Sequence, residues 1–504
     1  MTGFTGTLEE NHEQAIEQAM DGVRIDAWID GESAPADGEG RFPTLDPAVG
    51  KTITTVGRGD TADVDGAVTA AREAFEREWR HTTPRERATV IREWMARLRD
   101  HGEELALLES LDTGKPLANA REETEDAISF FEYYVSAART HDGANLQTGD
   151  DTHTYTRSEP YGVAGLILPW NFPLLLTGWK VGAALAAGNT VVCKPSEEAP
   201  MSITRIAQLS KGILPDGVFN VVNGYGEEAG SALAEHDGVD KLSFTGSVPV
   251  GQSVMKAAAN NVTPVTLELG GKSPFIVFPD ADIDAAAETA AMGIYYNTGQ
   301  SCDACSRVLV HESVHDVFVA AFETAARAYE PGDPLADGTE MGPLSFERQR
   351  EKVTNYVELG IEEGAHVVVG GDRPSDDAFD DGWFFEPTVF DDVDNDMRIA
   401  QEEIFGPVQC IITFSDYDEA IELANDVEYG LASGVATGDV SLAHRAAADI
   451  QAGSVWVNEY FGGGAGIPFG GYKYSGFGRE CAAETLDEYT HTKAVTVTLD
   501  EADI

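Results

Sequence analysis

The sequence predicts an α/β protein built around a doubly wound parallel sheet. Three observations carry this expectation. From Gly162 onward, short apolar segments alternate with segments of helical periodicity, the pattern of a parallel sheet with helices on both faces. Fifty-two glycines suit the many tight turns of such a fold. The 504 residues, 42% of them hydrophobic, can bury several cores, and about 150 residues per domain gives two to four domains.

Taken in order, residues 1–40 are polar and acidic and read as a loose N-terminal segment. Residues 61–140 are helical in pattern. Stretches 63–76, 84–100 and 102–113 space their apolar residues by three or four, and Val64, Ala67, Val68, Ala71 and Phe75 share one face. Strands are expected at 163–168, 190–193, 218–222, 241–244, 266–269 and 274–277. Helical stretches fall at 174–187 and 227–235. A second α/β lobe follows, with helices at 281–296, 315–329, 346–363, 418–425 and 441–450. Its strands are expected at 307–311, 367–369, 408–414 and 453–457. Near the C-terminus, 492–499 alternates as an edge strand should, whereas 152–158 alternates poorly.

Charge narrows the function classes. Asp and Glu number 87 against 34 Lys and Arg, a formal net charge of -53 spread along the whole chain. Such a surface repels nucleic acid and anionic membranes. It also repels itself at low salt, a repulsion largely screened at 1 M salt, where the Debye length is about 3 Å. A salt-loving host cell is therefore expected. Five cysteines, an odd and sparse set, imply no disulfide framework. The first twenty residues hold four acidic residues and no Lys or Arg, unlike a secretory signal. The apolar stretch 162–193 is broken by Pro169, Asn171, Pro173 and Lys180, so it reads as a buried β-α-β unit rather than a membrane span. A cytoplasmic location is expected.

Four local features suggest chemistry. The run Gly246-Ser247-Val248-Pro249-Val250-Gly251 follows a strand and opens a helix, where glycines admit a ligand and the helix N-terminus favours phosphate. A plain strand-to-helix turn would look the same. Lys194-Pro195-Ser196-Glu197 ends a strand, and ligands of doubly wound sheets bind at that end. A carboxylate there can hold ribose hydroxyls, although a surface turn has the same composition. Cys302, in Gly299-Gln300-Ser301-Cys302, is a candidate nucleophile. With Cys305 it also fits a redox pair or half a zinc site, but no second pair completes the zinc set, so no metal is expected. Glu268 stands within an apolar strand, where a carboxylate must be paired or protonated; it is a candidate general base or a partnered structural residue.

Together these resemble the hydrolytic, NAD(P)-dependent branch of the aldehyde dehydrogenase superfamily. The matching motifs are Pro169-Trp170-Asn171-Phe172-Pro173, Lys194-Pro195-Ser196-Glu197, Phe244-Thr245-Gly246-Ser247, Glu268-Leu269-Gly270-Gly271-Lys272, Gly299-Gln300-Ser301-Cys302, Glu403-Ile404-Phe405-Gly406-Pro407, Trp456-Val457-Asn458 and Pro468-Phe469-Gly470-Gly471. They stand in the family's order and cover roughly residues 25–495.

The resemblance implies a mechanism. Cys302 attacks the aldehyde, the oxyanion is held by the Asn171 amide and the Cys302 backbone N–H, and Glu268 activates water against the thioester. Lys180 and Glu480 resemble a proton-exit pair, or equally a buried ion pair. Implied cofactor residues are Trp170, Lys194, Glu197, Gly226, Phe244, Gly246, Ser247, Leu269, Glu403 and Phe405. Glu197 favours NAD, with NADP the alternative. Glu268 disfavours the acylating branch, which typically lacks a carboxylate there.

The implied tunnel residues are Phe172, Leu176, Trp179, Tyr296, Ser301, Asp303, Phe461 and Phe469. Their aromatic content suits an apolar or aromatic aldehyde and leaves betaine aldehyde open, although Phe469 stands where betaine-aldehyde specialists usually carry Trp. Semialdehyde and phosphorylated substrates are less favoured, because the loop 459–467 has no Lys or Arg and Asp303 would repel an anion. Cys305 is either a reversible disulfide partner of Cys302 or a small buried residue.

The implied architecture is a Rossmann-like cofactor domain (21–142 and 162–273), an α/β catalytic domain (274–474) and a small β oligomerisation element (143–161 and 475–504). A homodimer or homotetramer is expected. The rival from another class, a catalytically silent structural relative, would have lost the nucleophile that this chain retains.

Overall fold

The computed structural model describes residues 4–35 and 40–499. Two sheets organise it. The larger runs in the order Gly476–Phe477, Val265–Leu269, Lys241–Gly246, Val163–Ile167, Thr190–Lys194, Phe219–Val221, Ala27–Ile29, Glu32–Ala34. Its five central strands, from Val265–Leu269 to Phe219–Val221, are parallel. Gly476–Phe477 and Ala27–Ile29 flank them antiparallel, and Glu32–Ala34, antiparallel to Ala27–Ile29, runs in their direction again. Strand order reverses between Val163–Ile167 and Lys241–Gly246, so the loops at the carboxyl ends of these neighbours flank a crevice, the binding position of a doubly wound sheet.

The second sheet has seven strands, in the order His366–Val369, Thr388–Asp391, Val408–Phe414, Arg307–His311, Pro274–Val277, Ala432–Ala436, Ser454–Val457. All but its first pair are parallel. A small third sheet joins Asn145–Leu146, Thr152–Pro160 and Thr490–Thr498, with Thr490–Thr498 at its edge.

The helical stretches fall close to their expected positions because local signals agree with the apolar period. Pro84–Asp100 begins with a Thr83/Glu86 capping box and Pro in its first turn. Thr61–Arg77 begins with the equivalent Asp60/Asp63 box. Pro173–Ala187 is buried on nearly every face and packs on Leu117–Ala137, which explains its nearly continuous apolar sequence.

Residues 4–35 correct the expectation of a loose N-terminus. Leu8–Ala19 is a helix with a Thr7/Glu10 capping box, and Ala15 and Ala19 pack with Leu107, Leu111 and Met201. Its polarity hides this because the fully buried contact is made by two small alanines, with the half-buried Ile16 beside them. The buried polar residue His12 adds to it, with Nδ1 2.5 Å from Asp46 and Nε2 3.2 Å from Asp333.

The helix expected at 227–235 begins as a π-helical turn, Gly226–Gly230, before Ser231–Glu235. Thr152–Pro160 is a full nine-residue strand. Its poor alternation follows from burial of Thr154 alone among its residues, the others being half-buried or exposed. Gly476–Phe477 joins the large sheet rather than the small one. Of the C-terminal element, residues 500–504 lie outside the described residues, as do 1–3 of the N-terminal segment. Among the described residues no helix is long and apolar enough to cross a membrane, and no cluster suits a metal.

Candidate active site

The loop after Val163–Ile167 carries Asn171, and the one after Ile283–Tyr295 carries Cys302. The two are tied together. Asn171 Nδ2 donates to the Gln300 carbonyl at 3.0 Å. The Asn171 carbonyl in turn accepts from Asn297 Nδ2 and Lys115 Nζ, both at 3.0 Å. The Gln300 side chain closes its own loop, donating to Asn297 O at 3.1 Å and accepting from Ser345 N at 2.9 Å.

That loop is strained in a functional way. Asn297, Thr298 and Gly299 are all left-handed, with φ of 50°, 58° and 71°. Gly299 is required twice over, since a Cβ there would also lie 2.1 Å from the Gly406 carbonyl. This presses the Cys302 loop against the 403–407 loop.

Two cavities meet at Cys302. A cleft of about 440 Å³ is lined by Trp170, Gly246, Ser247, Glu268, Glu403 and Phe405, among others. A second cavity of about 430 Å³, the tunnel, adjoins it. Asn171, Thr245 and Cys302 line both. A thiol between two cavities can react with a molecule in one while a second waits in the other.

Electrostatics keep the resting residues protonated. Burial, then Asp303, Glu268 and Glu403, push the Cys302 thiol well above its usual range. Burial also raises Glu268 well above the carboxylate range, with Glu480 adding and Lys180 opposing. Both Glu268 oxygens are buried without a hydrogen-bond partner, the condition of a carboxyl available for proton transfer rather than structure. Lys180 is buried 2.5 Å from Glu480 and donates to Ser243 Oγ at 2.9 Å.

The cleft fits a dinucleotide. Helix Val248–Asn261 starts there with Ser247 as an N-cap that makes no side-chain capping bond and Pro in the first turn, which leaves N–H groups for phosphate. Glu403 accepts from Gly271 N at 3.1 Å, an approach that a Cβ on Gly270, 2.1 Å from Glu403 Oε1, would block. The Trp170 ring packs edge-on against Phe405 at 5.2 Å and Phe346 at 5.0 Å.

Lys194 and Glu197 form an ion pair of 2.8 Å, and Gly226 N donates to Glu197 at 3.5 Å. They stand outside the cleft lining, at the carboxyl end of the strand next to Val163–Ile167. Burial would raise Glu197, but Lys194 lowers it below the usual range and keeps it ionised. Leu269, Gly246 and Ser247 line the cleft, whereas Phe244 is buried with its ring against Gly246 and lines neither cavity.

Every tunnel residue expected from sequence lines the tunnel: Phe172, Leu176, Trp179, Tyr296, Ser301, Asp303, Phe461 and Phe469. Phe172 stacks on Tyr296 at 6.1 Å and Trp179 packs on Phe469 at 5.3 Å. The structure adds Asp126, Phe130, Met292 and Trp456. Phe130 and Asp126 lie on Leu117–Ala137, and nothing in that helix's periodicity marks which face meets the tunnel. Lys352 likewise joins the cleft without a sequence signal, and Thr245, within the Phe244–Ser247 motif, lines both cavities. Cys305 is buried, its N–H donating to Gly293 O at 2.8 Å and its thiol lying 4.0 Å from Arg307 O. These contacts support the small-residue alternative.

A model of the Aldehyde dehydrogenase family matches residues 34–495. The mitochondrial aldehyde dehydrogenase family 2 member B4 of Arabidopsis thaliana is 45% identical over 98% of this chain and 92% of its own length. The mitochondrial benzaldehyde dehydrogenase of Antirrhinum majus is 44% identical over 99% and 92%. The betaine aldehyde dehydrogenase of Staphylococcus aureus, solved in complex with NAD+, superposes with a TM-score of 0.95 at 39% identity, covering 97% of this chain and 98% of that one.

Proposed function

The chain belongs to the aldehyde dehydrogenase family, and from that premise we propose that it oxidises an aldehyde to a carboxylic acid with NAD+, through a thioester on Cys302. The observation that carries this is the placement of Asn171 and Cys302 on the shared wall of cleft and tunnel.

The Cys302 thiol loses its proton to solvent, and its sulfur bonds to the aldehyde carbon as the carbonyl electron pair moves onto oxygen. One Asn171 amide hydrogen is used on Gln300 O; the other, with the Cys302 backbone N–H, stabilises the resulting oxyanion. When bound, NAD+ would accept the hydride that this carbon loses, which leaves the thioester. Glu268, once ionised, then removes a proton from water, the hydroxyl adds to the thioester carbon, and the acid departs as the carbon–sulfur bond breaks and the Cys302 thiolate is released. The Glu480–Lys180 pair supports a role in passing that proton outward.

The tunnel supports an apolar or aromatic aldehyde, because its lining is rich in aromatic rings and includes no Lys or Arg. Its carboxylates, Asp126 and Asp303, favour betaine aldehyde as a second reading over succinate semialdehyde or phosphorylated aldehydes. Ionised Glu197 supports NAD over NADP. Sheet membership supports the division into cofactor (21–142 and 162–273), catalytic (274–474) and oligomerisation (143–161 and 475–504) parts, except at Gly476–Phe477, which joins the large sheet. The open edge at Thr490–Thr498 supports a homodimer or homotetramer. The excess of acidic residues supports a salt-loving host and, with no membrane-crossing helix among the described residues, a cytoplasmic site of action.

The test is NADH formation in multimolar KCl with acetaldehyde, benzaldehyde, betaine aldehyde, succinate semialdehyde and glyceraldehyde 3-phosphate. Cys302→Ala is the control. Benzaldehyde should lead, and the control should be inactive. Activity that survives in Cys302→Ala removes the thioester mechanism.

A further inference from the structure

We infer that Lys115, held between Glu109 and Glu123, is a positioning residue that sets Asn171 for catalysis. The inference rests on the reading of Asn171 as an oxyanion donor.

Asn171 lies in a loop, and loops do not hold an amide to within fractions of an ångström without support. Its support comes from beneath. Lys115 Nζ donates to Glu109 Oε1 at 3.2 Å, to Glu123 Oε2 and to the Asn171 carbonyl at 3.0 Å. An ammonium has three hydrogens, and here each has one acceptor, so its direction is determined. All three side chains are at most 2% exposed. Burial would lower the Lys115 ammonium, but the charges of Glu123 and Glu109 raise it above the usual lysine range.

The far ends of the carboxylates are anchored as well. Glu123 Oε1 accepts from Leu175 N at 3.0 Å in the first turn of Pro173–Ala187. Glu109 Oε2 accepts from Ser202 Oγ at 2.5 Å. The Lys115 ammonium also sits 4.6 Å from the Phe172 ring centroid, on the tunnel wall. Thus both neighbours of the loop's reactive amide, its own carbonyl and the following aromatic ring, are referred to one buried cation.

A buried ion cluster of this kind is a poor stabiliser. Replacing such a cluster with neutral side chains is often neutral or favourable for stability. Exchanging Lys115 and Glu123 together is therefore expected to show in rate, while the Glu109 charge that remains keeps only its Ser202 hydrogen bond and adds a cost to folding.

The experiment is a double-mutant cycle in the full chain. Lys115→Met/Glu123→Gln removes one charge of each sign and keeps an acceptor for Leu175 N–H. With Asn171 intact, kcat should fall about tenfold, while NAD+ affinity by fluorescence titration stays unchanged. In an Asn171→Ala background, the same pair should cause no further fall. An equal fall in both backgrounds, or no fall with Asn171 intact, overturns the positioning role. An Asn171→Ala variant with undiminished kcat instead overturns the oxyanion reading, and the inference with it. If the double variant does not fold, Glu123→Gln alone is put through the same cycle, with a fall of about threefold expected.

Discussion

Raising the pH should release the N-terminal helix while the rest of the protein stays folded. Leu8–Ala19 is held by His12, whose two ring nitrogens both face carboxylates, Asp46 at 2.5 Å and Asp333 at 3.2 Å. Only the doubly protonated ring donates to both. Burial would lower its pKa, but the hydrogen bonds and charges of Asp333 and Asp46 lift it to about 9, against an ordinary value of 6.5. That gap corresponds to about 3 kcal/mol. Because the folded value lies above the unfolded one, the contribution is full below pH 6.5 and is lost as the pH rises through about 9. Hydrogen exchange of residues 8–19, corrected for intrinsic rates, should show protection falling about a hundredfold between pH 7 and pH 10. A His12→Gln variant should start low and show no such step. Flat protection in the native chain, or the same step in the variant, would refute the reasoning.

Further outcomes follow from the site and the charge. Glu268→Gln should lower the steady-state rate by about 10²-fold or more yet keep a rapid burst of NADH, seen by stopped flow; an unchanged steady state removes Glu268 as the base. Since burial and Glu480 raise Glu268, the hydrolytic step should gain rate with pH above the ordinary carboxylate range, and a pH profile of the native chain would show that limb missing in the variant. Glu197→Gln should improve kcat/KM with NADP relative to NAD, because the ionised carboxylate beside Lys194 is gone. Thermal melts should rise from low salt to multimolar KCl, given a net charge of -53; a protein most stable at low salt contradicts the halophilic reading.

The two lobes were legible because their signals are local. Apolar runs at 163–168 and 274–277, the helical apolar spacing of 63–76 and 84–100, and motifs around Asn171, Glu268 and Cys302 are each contained within a few residues. Segments whose role depends on distant partners were not. The N-terminal helix looked loose because its contact rests on alanines, a half-buried Ile16 and a histidine whose carboxylates lie 34 and 321 residues away. Phe130 and Asp126 carry no mark of the tunnel they line, and Phe244, read with the cofactor motif, lies beneath the cleft instead.

By itself, then, the sequence determined the fold class and the reaction class and named the residues proposed to do the chemistry, since each rests on short-range pattern or a compact motif. Only the tertiary structure decided how those residues are held. The left-handed turn at Asn297–Gly299, the buried Lys115 cluster behind Asn171 and the meeting of cleft and tunnel at Cys302 all arise where distant segments pack. Such packing is governed by shape and desolvation between elements far apart in the chain, and no single stretch of sequence records it.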